Sequence, residues 1–390
     1  MKNPEASIPA THPSPYFVRF DIEGLKRLIE TLKQEGYEVL GPTVRDGAIV
    51  IEPIESVSQL PCGVGDEQSG GRYRLTQRSD RSRFGYAVGP TSWKRFLFPP
   101  NRLLWRATQH ERGFSVETPP VDSQRRAFVG VRGCDLAAIR IQDRVFCGGA
   151  NPDPDYVSRR KQTFIVAVEC GSPVQTCFCT SMGTGPAIGD GFDIRLTEIP
   201  DGENPYYLGL AGSEYGAQLL SQIDAIQVNE SEFAERNAIL ASAAAQITRH
   251  LDPDHARAVI LENPEHSRWD EVASRCLTCG NCTQVCPTCF CSTVDDVTDL
   301  TTGVAERSRR WDSCFTMEHS HVHGGAVRRS PRSRYRQWLS HKLGSWWEQF
   351  GTAGCSGCGR CIVWCPVGID LTEEVAYLAT KRDAPPEDAP

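Results

Sequence analysis

Two stretches of the sequence, 276–286 and 355–365, each carry cysteines in the order C-x2-C-x2-C-x3-C, followed by proline. Three thiolates from so tight a loop can converge on one [4Fe–4S] cubane, while the loop amides point at the sulfurs and offset negative charge. The fourth ligand must come from elsewhere, and in two-cluster ferredoxins the last cysteine of each motif ligates the other cluster. On this pattern Cys276, Cys279, Cys282 and Cys365 hold one cluster, and Cys286, Cys355, Cys358 and Cys361 hold the second. The exchange predicts two neighbouring clusters in one ferredoxin-like unit. Zinc is the competing reading, but zinc ribbons use separated C-x2-C pairs rather than this doubled motif with its trailing proline.

A second group of cysteines follows no ferredoxin motif. The run FVGV at 128–131 reads as a buried strand, 135–146 has helical spacing, and 164–168 is a second apolar strand, so the stretch predicts a βαβ unit. Cys134 and Cys170 each follow one of the parallel strands, which brings both to the same sheet edge, where open α/β sheets bind ligands. Cys177 and Cys179 lie in the glycine-containing loop CGSPVQTCFCTSMGTGP. These four could hold a third [4Fe–4S] cluster, with Asp135 as an alternative oxygen ligand; buried free thiols are the plain alternative.

Residues 287–354 separate the two motifs and read as a large insertion. It carries Cys289, Cys291 and Cys314, three close histidines (His319, His321 and His323) and an arginine run (Arg328, Arg329, Arg332, Arg334 and Arg336). The histidines suit a metal or a polar surface loop, the arginines an acidic partner or a solvated face. Cys289 and Cys291 are most simply small residues packed near a cluster.

The elements that must position these residues are an α+β set: an N-terminal α/β domain followed by a mainly helical dicluster ferredoxin-like domain with the insertion. Residues 1–15 read as a flexible arm, 16–213 as the α/β domain, 214–275 as a helical connector, 276–380 as the dicluster domain and 381–390 as a disordered tail. Asp21 caps a predicted helix with Leu25, Leu28, Ile29 and Leu32 on one face, and a hairpin turns at Arg45, Asp46 and Gly47. The stretch 56–85 shows no clean period and is expected to be loops. The chain has 390 residues, 17 cysteines and a formal net charge of −7. That charge argues against a general nucleic-acid binder. The N-terminus lacks the apolar core of a secretory signal and no run spans a bilayer, which predicts a cytoplasmic protein.

Gly63-x-Gly65 and Gly183-x-Gly185 both lack the third glycine of a dinucleotide fingerprint, and there is no P-loop. The chain is equipped to relay electrons, and a partner must supply the flavin or the catalytic metal. A flavin-binding reductase and an iron–sulfur sensor are the competing classes.

The runs VRGCDLAAIRIQDRVF, CGSPVQTCFCTSMGTGP and RRWDSCFTMEHSHVHGG, with the second cysteine motif, resemble the beta subunit of soluble NAD(P)-linked [NiFe]-hydrogenases, the sulfhydrogenases. The block is similar also to the related iron–sulfur subunit of anaerobic sulfite reductase. The likeness covers about 125–380, and Gly133 stands where proline is expected before Cys-Asp. The resemblance implies an iron–sulfur subunit working beside a flavin/NAD(P)-binding reductase subunit, together with the small and large [NiFe]-hydrogenase subunits, or beside sulfite reductase subunits.

Overall fold

In the computed structural model residues 17–380 are described; the expected arm at 1–15 and tail at 381–390 lie outside them. The N-terminal strands are β1 (Phe17–Phe20), β2 (Glu38–Arg45), β3 (Ala48–Pro53), β4 (Val64–Ser69), β5 (Arg72–Gln77), β6 (Asn101–His110) and β7 (Gly113–Glu117). There follow β8 (Arg126–Val131), β9 (Thr163–Val168), β10 (Ile194–Ile199), β11 (Tyr206–Ala211), β12 (Ile226–Gln227), β13 (Ser292–Asp299) and β14 (Val304–Trp311). Eight of these build one sheet in the order β12-β1-β11-β10-β9-β8-β2-β3. Its centre, β2-β8-β9-β10, is parallel and its flanks are antiparallel.

The parallel centre explains the uninterrupted apolar runs, because such strands are covered on both faces. On one face Val129, Val166 and Leu196 pack with Leu25, Leu28 and Leu32 of the helix Ile22–Gln34. On the other, Phe128, Ile165 and Ala167 pack with Leu136 and Ile139 of the helix Gly133–Phe146. The expected caps hold: Asp21 accepts from the amides of Glu23 and Gly24, and Asp370 accepts from Thr372 at the start of the helix Leu371–Leu378.

Two expectations need correction. The stretch 56–85 contains the β4–β5 hairpin. The two buried residues of β4, Gly65 and Gln68, are three apart and neither is a large apolar residue, and the Gln68 side chain donates to the Val88 carbonyl at 3.0 Å, so β4 shows no apolar alternation. The C-terminal segment is also not mainly helical. Besides its short helices it contributes β13 and β14, eight residues each, to a second sheet of order β13-β14-β6-β7. Asp296 and Arg307, opposite one another on β13 and β14, pair at 2.6 Å, and such cross-strand charges replace the apolar alternation that would mark a strand.

The C-terminal motif is fastened to the α/β part at several points. The tip of the β4–β5 hairpin meets it, where the Gly71 amide donates to the Ile362 carbonyl at 3.2 Å. Tyr73 of β5 stacks on Trp364 with ring centres 5.4 Å apart.

Just before Cys170, Glu169 is fully buried and held by Arg236 of the helix Glu230–Gln246 through two contacts of 2.7 and 2.5 Å, with Thr197 also donating to it. Removing one partner of a buried pair leaves an uncompensated charge, at a cost of about 3–5 kcal/mol. Arg236→Ala is therefore expected to lower the stability of the full chain by roughly that amount, read as a shifted denaturant midpoint. An unchanged midpoint would contradict the burial of this pair.

Candidate metal centre

The two ferredoxin-type loops are built alike. In the first, Thr278 and Gly280 take positive φ of 51° and 75°; in the second, Gly357 and Gly359 take 67° and 74°. The first left-handed residue of each loop turns its amide to a thiol. The Thr278 amide donates to Cys276 Sγ at 3.4 Å and the Gly357 amide to Cys355 Sγ at 3.5 Å. A short helix then follows in each, Asn281–Gln284 and Arg360–Val363.

Cys276, Cys279, Cys282 and Cys365 line one cavity, walled by Phe315, Tyr335 and Trp338, and Cys361 of the other motif reaches the same cavity. Cys279 is exposed, and Leu277 and Val367 at its rim are 61% and 38% exposed. In the second set, Cys286, Cys355, Cys358 and Cys361 interact electrostatically with one another. Lys342 is buried against it, donating to Cys286 Sγ at 3.2 Å and to the Gly354 carbonyl at 2.8 Å.

The middle cysteines also come together. Cys134, Cys170, Cys177 and Cys179 line a third cavity, and Cys358 of the second set is part of its wall. The loop after β9 can lie this close to the second ferredoxin-type loop because of two glycines. A β-carbon on Gly357 would stand 2.6 Å from the Phe178 carbonyl oxygen, and one on Gly359 would stand 2.5 Å from that of Thr176. Gly133 is explained in the same way: a β-carbon there, which proline would bring, would lie 2.6 Å from the Thr184 carbonyl oxygen.

Asp135 does not face these thiols as an alternative ligand. Its carboxylate is taken by Arg360, with contacts of 2.6 and 3.0 Å, both side chains being buried. Arg360 Nε donates in addition to the Gly89 carbonyl at 2.9 Å.

The three histidines do not converge: His319 pairs with Asp312 at 2.7 Å, whereas His321 and His323 are exposed. Among the described residues, no group of three or more His, Cys, Asp or Glu is gathered as a single metal ion would require. The thiols instead surround cavities, the arrangement a cubane with ligands on four corners needs. Much of the arginine run is used inside the chain: Arg332 and Arg336 pair with Glu265, and Arg334 donates to the Phe315 carbonyl.

Sequence reasoning missed Lys94, Lys342 and Arg360. Arg360 sits inside a cysteine motif and could have been noticed; Lys94 and Lys342 lie in stretches with no signal. Lys94 donates to the Cys289 carbonyl at 3.0 Å and lies 3.9 Å from the centre of the Trp311 ring.

Burial pushes the bare thiols up: Cys134, Cys177, Cys276, Cys282 and Cys361 all titrate above the ordinary range, Cys355 at about 11 and Cys179 at about 12. Iron loading must therefore displace protons. Lys342 behaves in the opposite sense. Burial disfavours its charge, but the thiols of Cys286, Cys289, Cys355 and Cys361 outweigh that and hold it as an ammonium. The chain thus supplies a cation where a cluster and its thiolates would bring net negative charge.

Doubled four-cysteine motifs, left-handed amide-presenting loops and an enclosed cation together define an iron–sulfur protein of the two-cluster ferredoxin class. A family model described as a 4Fe-4S dicluster domain matches residues 275–369. Sulfhydrogenase 2 subunit beta of Pyrococcus furiosus is 35% identical over 288 residues, covering 71% of this chain and 82% of the relative. The chain belongs to the sulfhydrogenase beta subunit family and is an iron–sulfur electron-transfer subunit carrying [4Fe–4S] clusters. No solved structure matches it. Among the described residues, no helix is long and apolar enough to cross a membrane.

The twin loops allow a paired test. Thr278 holds a backbone conformation that costs a non-glycine residue about 1–2 kcal/mol, so Thr278→Gly is expected to be neutral or stabilising. Gly357→Thr should fail, since its β-carbon meets the Phe178 and Cys179 backbone. Iron content per chain is the measurement: unchanged in the first variant, reduced in the second. Equal content in both would refute the close approach.

Proposed function

We propose that the chain relays single electrons along three consecutive [4Fe–4S] clusters: one at Cys276, Cys279, Cys282 and Cys365, one at Cys286, Cys355, Cys358 and Cys361, and one at Cys134, Cys170, Cys177 and Cys179. When bound, such clusters take up and give up one electron at a time. The observation that carries the reading is the position of two cysteines of the middle set: Cys361 reaches the first cavity and Cys358 walls the third. The order is therefore linear, with the middle set touching both neighbours.

The terminal partners of this relay are a flavin/NAD(P)-binding reductase subunit on one side and [NiFe]-hydrogenase subunits on the other. The name of the Pyrococcus relative and the lack of a nucleotide motif support that choice. The exposed rim around Cys279, with Leu277 and Val367, suits one docking end for electron exchange, because sulfur ligands there are nearest to solvent. Service to a sulfite or sulfur reductase is the second reading. A nickel–iron large subunit co-purifying with the chain selects the first, a sirohaem protein the second.

The number of clusters is tested by iron and acid-labile sulfide after anaerobic reconstitution. About 12 Fe per chain supports three clusters, and about 8 removes the set at Cys134–Cys179.

Lys342 gives a second test. A charge-assisted hydrogen bond to a buried partner contributes about 1.5–3 kcal/mol, and for a one-electron couple each 59 mV corresponds to a tenfold change, about 1.4 kcal/mol. Removing the positive charge makes an added electron less welcome. Lys342→Met should lower the midpoint potential of one cluster by roughly 60–130 mV in an EPR-monitored titration. A rise, or no change in any cluster, would contradict the assigned position of the middle set.

A further inference from the structure

The insertion between the two cysteine motifs carries a helix with one face buried beside the thiols. Pro331–Leu339 starts on Ser330, whose hydroxyl accepts from the Ser333 amide, and runs on into the wider π-helical stretch Ser340–Ser345. Tyr335, Trp338 and Lys342 are three and four residues apart, so they share a face of this run, and they are 2%, 5% and 2% exposed. Lys342 donates to Cys286 of the middle set. Tyr335 and Trp338 line the cavity of Cys276, Cys279, Cys282 and Cys365. Their ring centres are 5.5 Å apart and stand 6.4 and 6.1 Å from that of Phe315, whose carbonyl accepts from Arg334 of the same helix at 2.8 Å.

Packing accounts for the rings but not for their polar atoms. The Tyr335 hydroxyl and the Trp338 indole nitrogen are both buried, and among the described residues neither has a hydrogen-bond partner. Trp269, whose ring lies 6.2 Å from that of Tyr335, instead donates to the Asn263 carbonyl at 2.8 Å. A buried donor without an acceptor gives up its hydration with no return. Phe315 shows that a plain hydrocarbon ring fits the same wall. The cavity these donors line is one of four thiols, and sulfur there, on the cysteines or in a bound cluster, is the acceptor that would satisfy both.

We propose that Tyr335 and Trp338 donate hydrogen bonds to the sulfurs of the cluster at Cys276, Cys279, Cys282 and Cys365 and raise its reduction potential. The inference rests on the cluster proposed for that set. A donor aimed at sulfur stabilises the reduced, more negative state over the oxidised one. One helical run of the insertion thereby serves two sets, with two neutral donors at the set that opens to solvent and an ammonium at the enclosed one. Neither ring is a ligand to iron; each acts through sulfur.

The test uses the full chain reconstituted with iron and sulfide and titrated under EPR. Cys279→Ala first identifies the signal of this cluster, as the one lost or altered. Tyr335→Phe removes a single oxygen and keeps the ring. It should leave iron per chain unchanged and make reduction of that same cluster about tenfold less favourable, a midpoint lower by about 59 mV for one electron. Trp338→Phe should move the same signal in the same direction, whereas Lys342→Met should move a different one. A ring-fluorinated tyrosine in place of Tyr335 has a stronger hydroxyl donor and should raise the midpoint, a reversal that altered packing would not produce. After exchange into heavy water, ENDOR of that cluster should show a deuteron coupling that Tyr335→Phe abolishes. A midpoint unmoved by both phenylalanine variants at full iron content would overturn the proposal and leave the cluster assignment standing. A Cys279→Ala chain with every signal unchanged would overturn the assignment, and the proposal with it.

Discussion

Arg360 and Asp135 form the contact on which the assembly of the thiol sets depends. One belongs to the C-terminal cysteine motif and the other opens the helix after β8, next to Cys134. Burying both charges is unfavourable unless the geometry satisfies them fully. Here the guanidinium meets both carboxylate oxygens, and its remaining donors reach the carbonyls of Gly89 and Thr91. The pair can form only if the segment 89–91, the helix after β8 and the cysteine loop arrive together. An arginine is suited to that task because its planar fork fixes direction as well as distance.

Around this pair the chain manages charge and space separately. Space is made by Gly357 and Gly359, which let one backbone lie on another. Charge is managed by Lys342 beside Cys286 and by Arg360 beside Cys358, so that one set of thiols has an ammonium and a guanidinium for company. The set at Cys276 has Arg334 and, more weakly, Lys342 near it and opens to solvent at Cys279. The three sets therefore differ in burial and in neighbouring charge, the two quantities that tune an iron–sulfur potential.

Much of the centre was legible because cysteine spacing is a direct statement of ligand geometry. The βαβ reading of 128–168 carried Cys134 and Cys170 to one sheet edge by topology alone, and the sheet bears that pairing out. What stayed hidden was polar structure in a buried setting. Gln68 points inward on β4 and Asp296 answers Arg307 across β13 and β14, so neither hairpin shows an apolar period. Lys94 and Lys342 have the most solvent-loving of side chains, and their burial rests on partners distant in sequence: the Cys289 carbonyl and the Trp311 ring for Lys94, Cys286 and the Gly354 carbonyl for Lys342. Asp135 stands beside Cys134 in the sequence and so offers itself as an alternative ligand, whereas its partner Arg360 is 225 residues away and leaves no local signal.

The pairing of β6 with β14 has a bearing on how the chain is made. Arg106 and Glu306, partners across that pairing, are 200 residues apart. At ribosomal rates of about 5–20 residues per second, β6 waits roughly 10–40 s for its neighbour to be synthesised. During that time the hairpin of β6 and β7 offers an unpaired edge to any other nascent strand. Two arginines of β6 itself, Arg102 and Arg106, make that edge a poor template for a stranger. The cavity of Cys276, Cys279 and Cys282 closes later still, since Cys365, which also lines it, is synthesised last of the four.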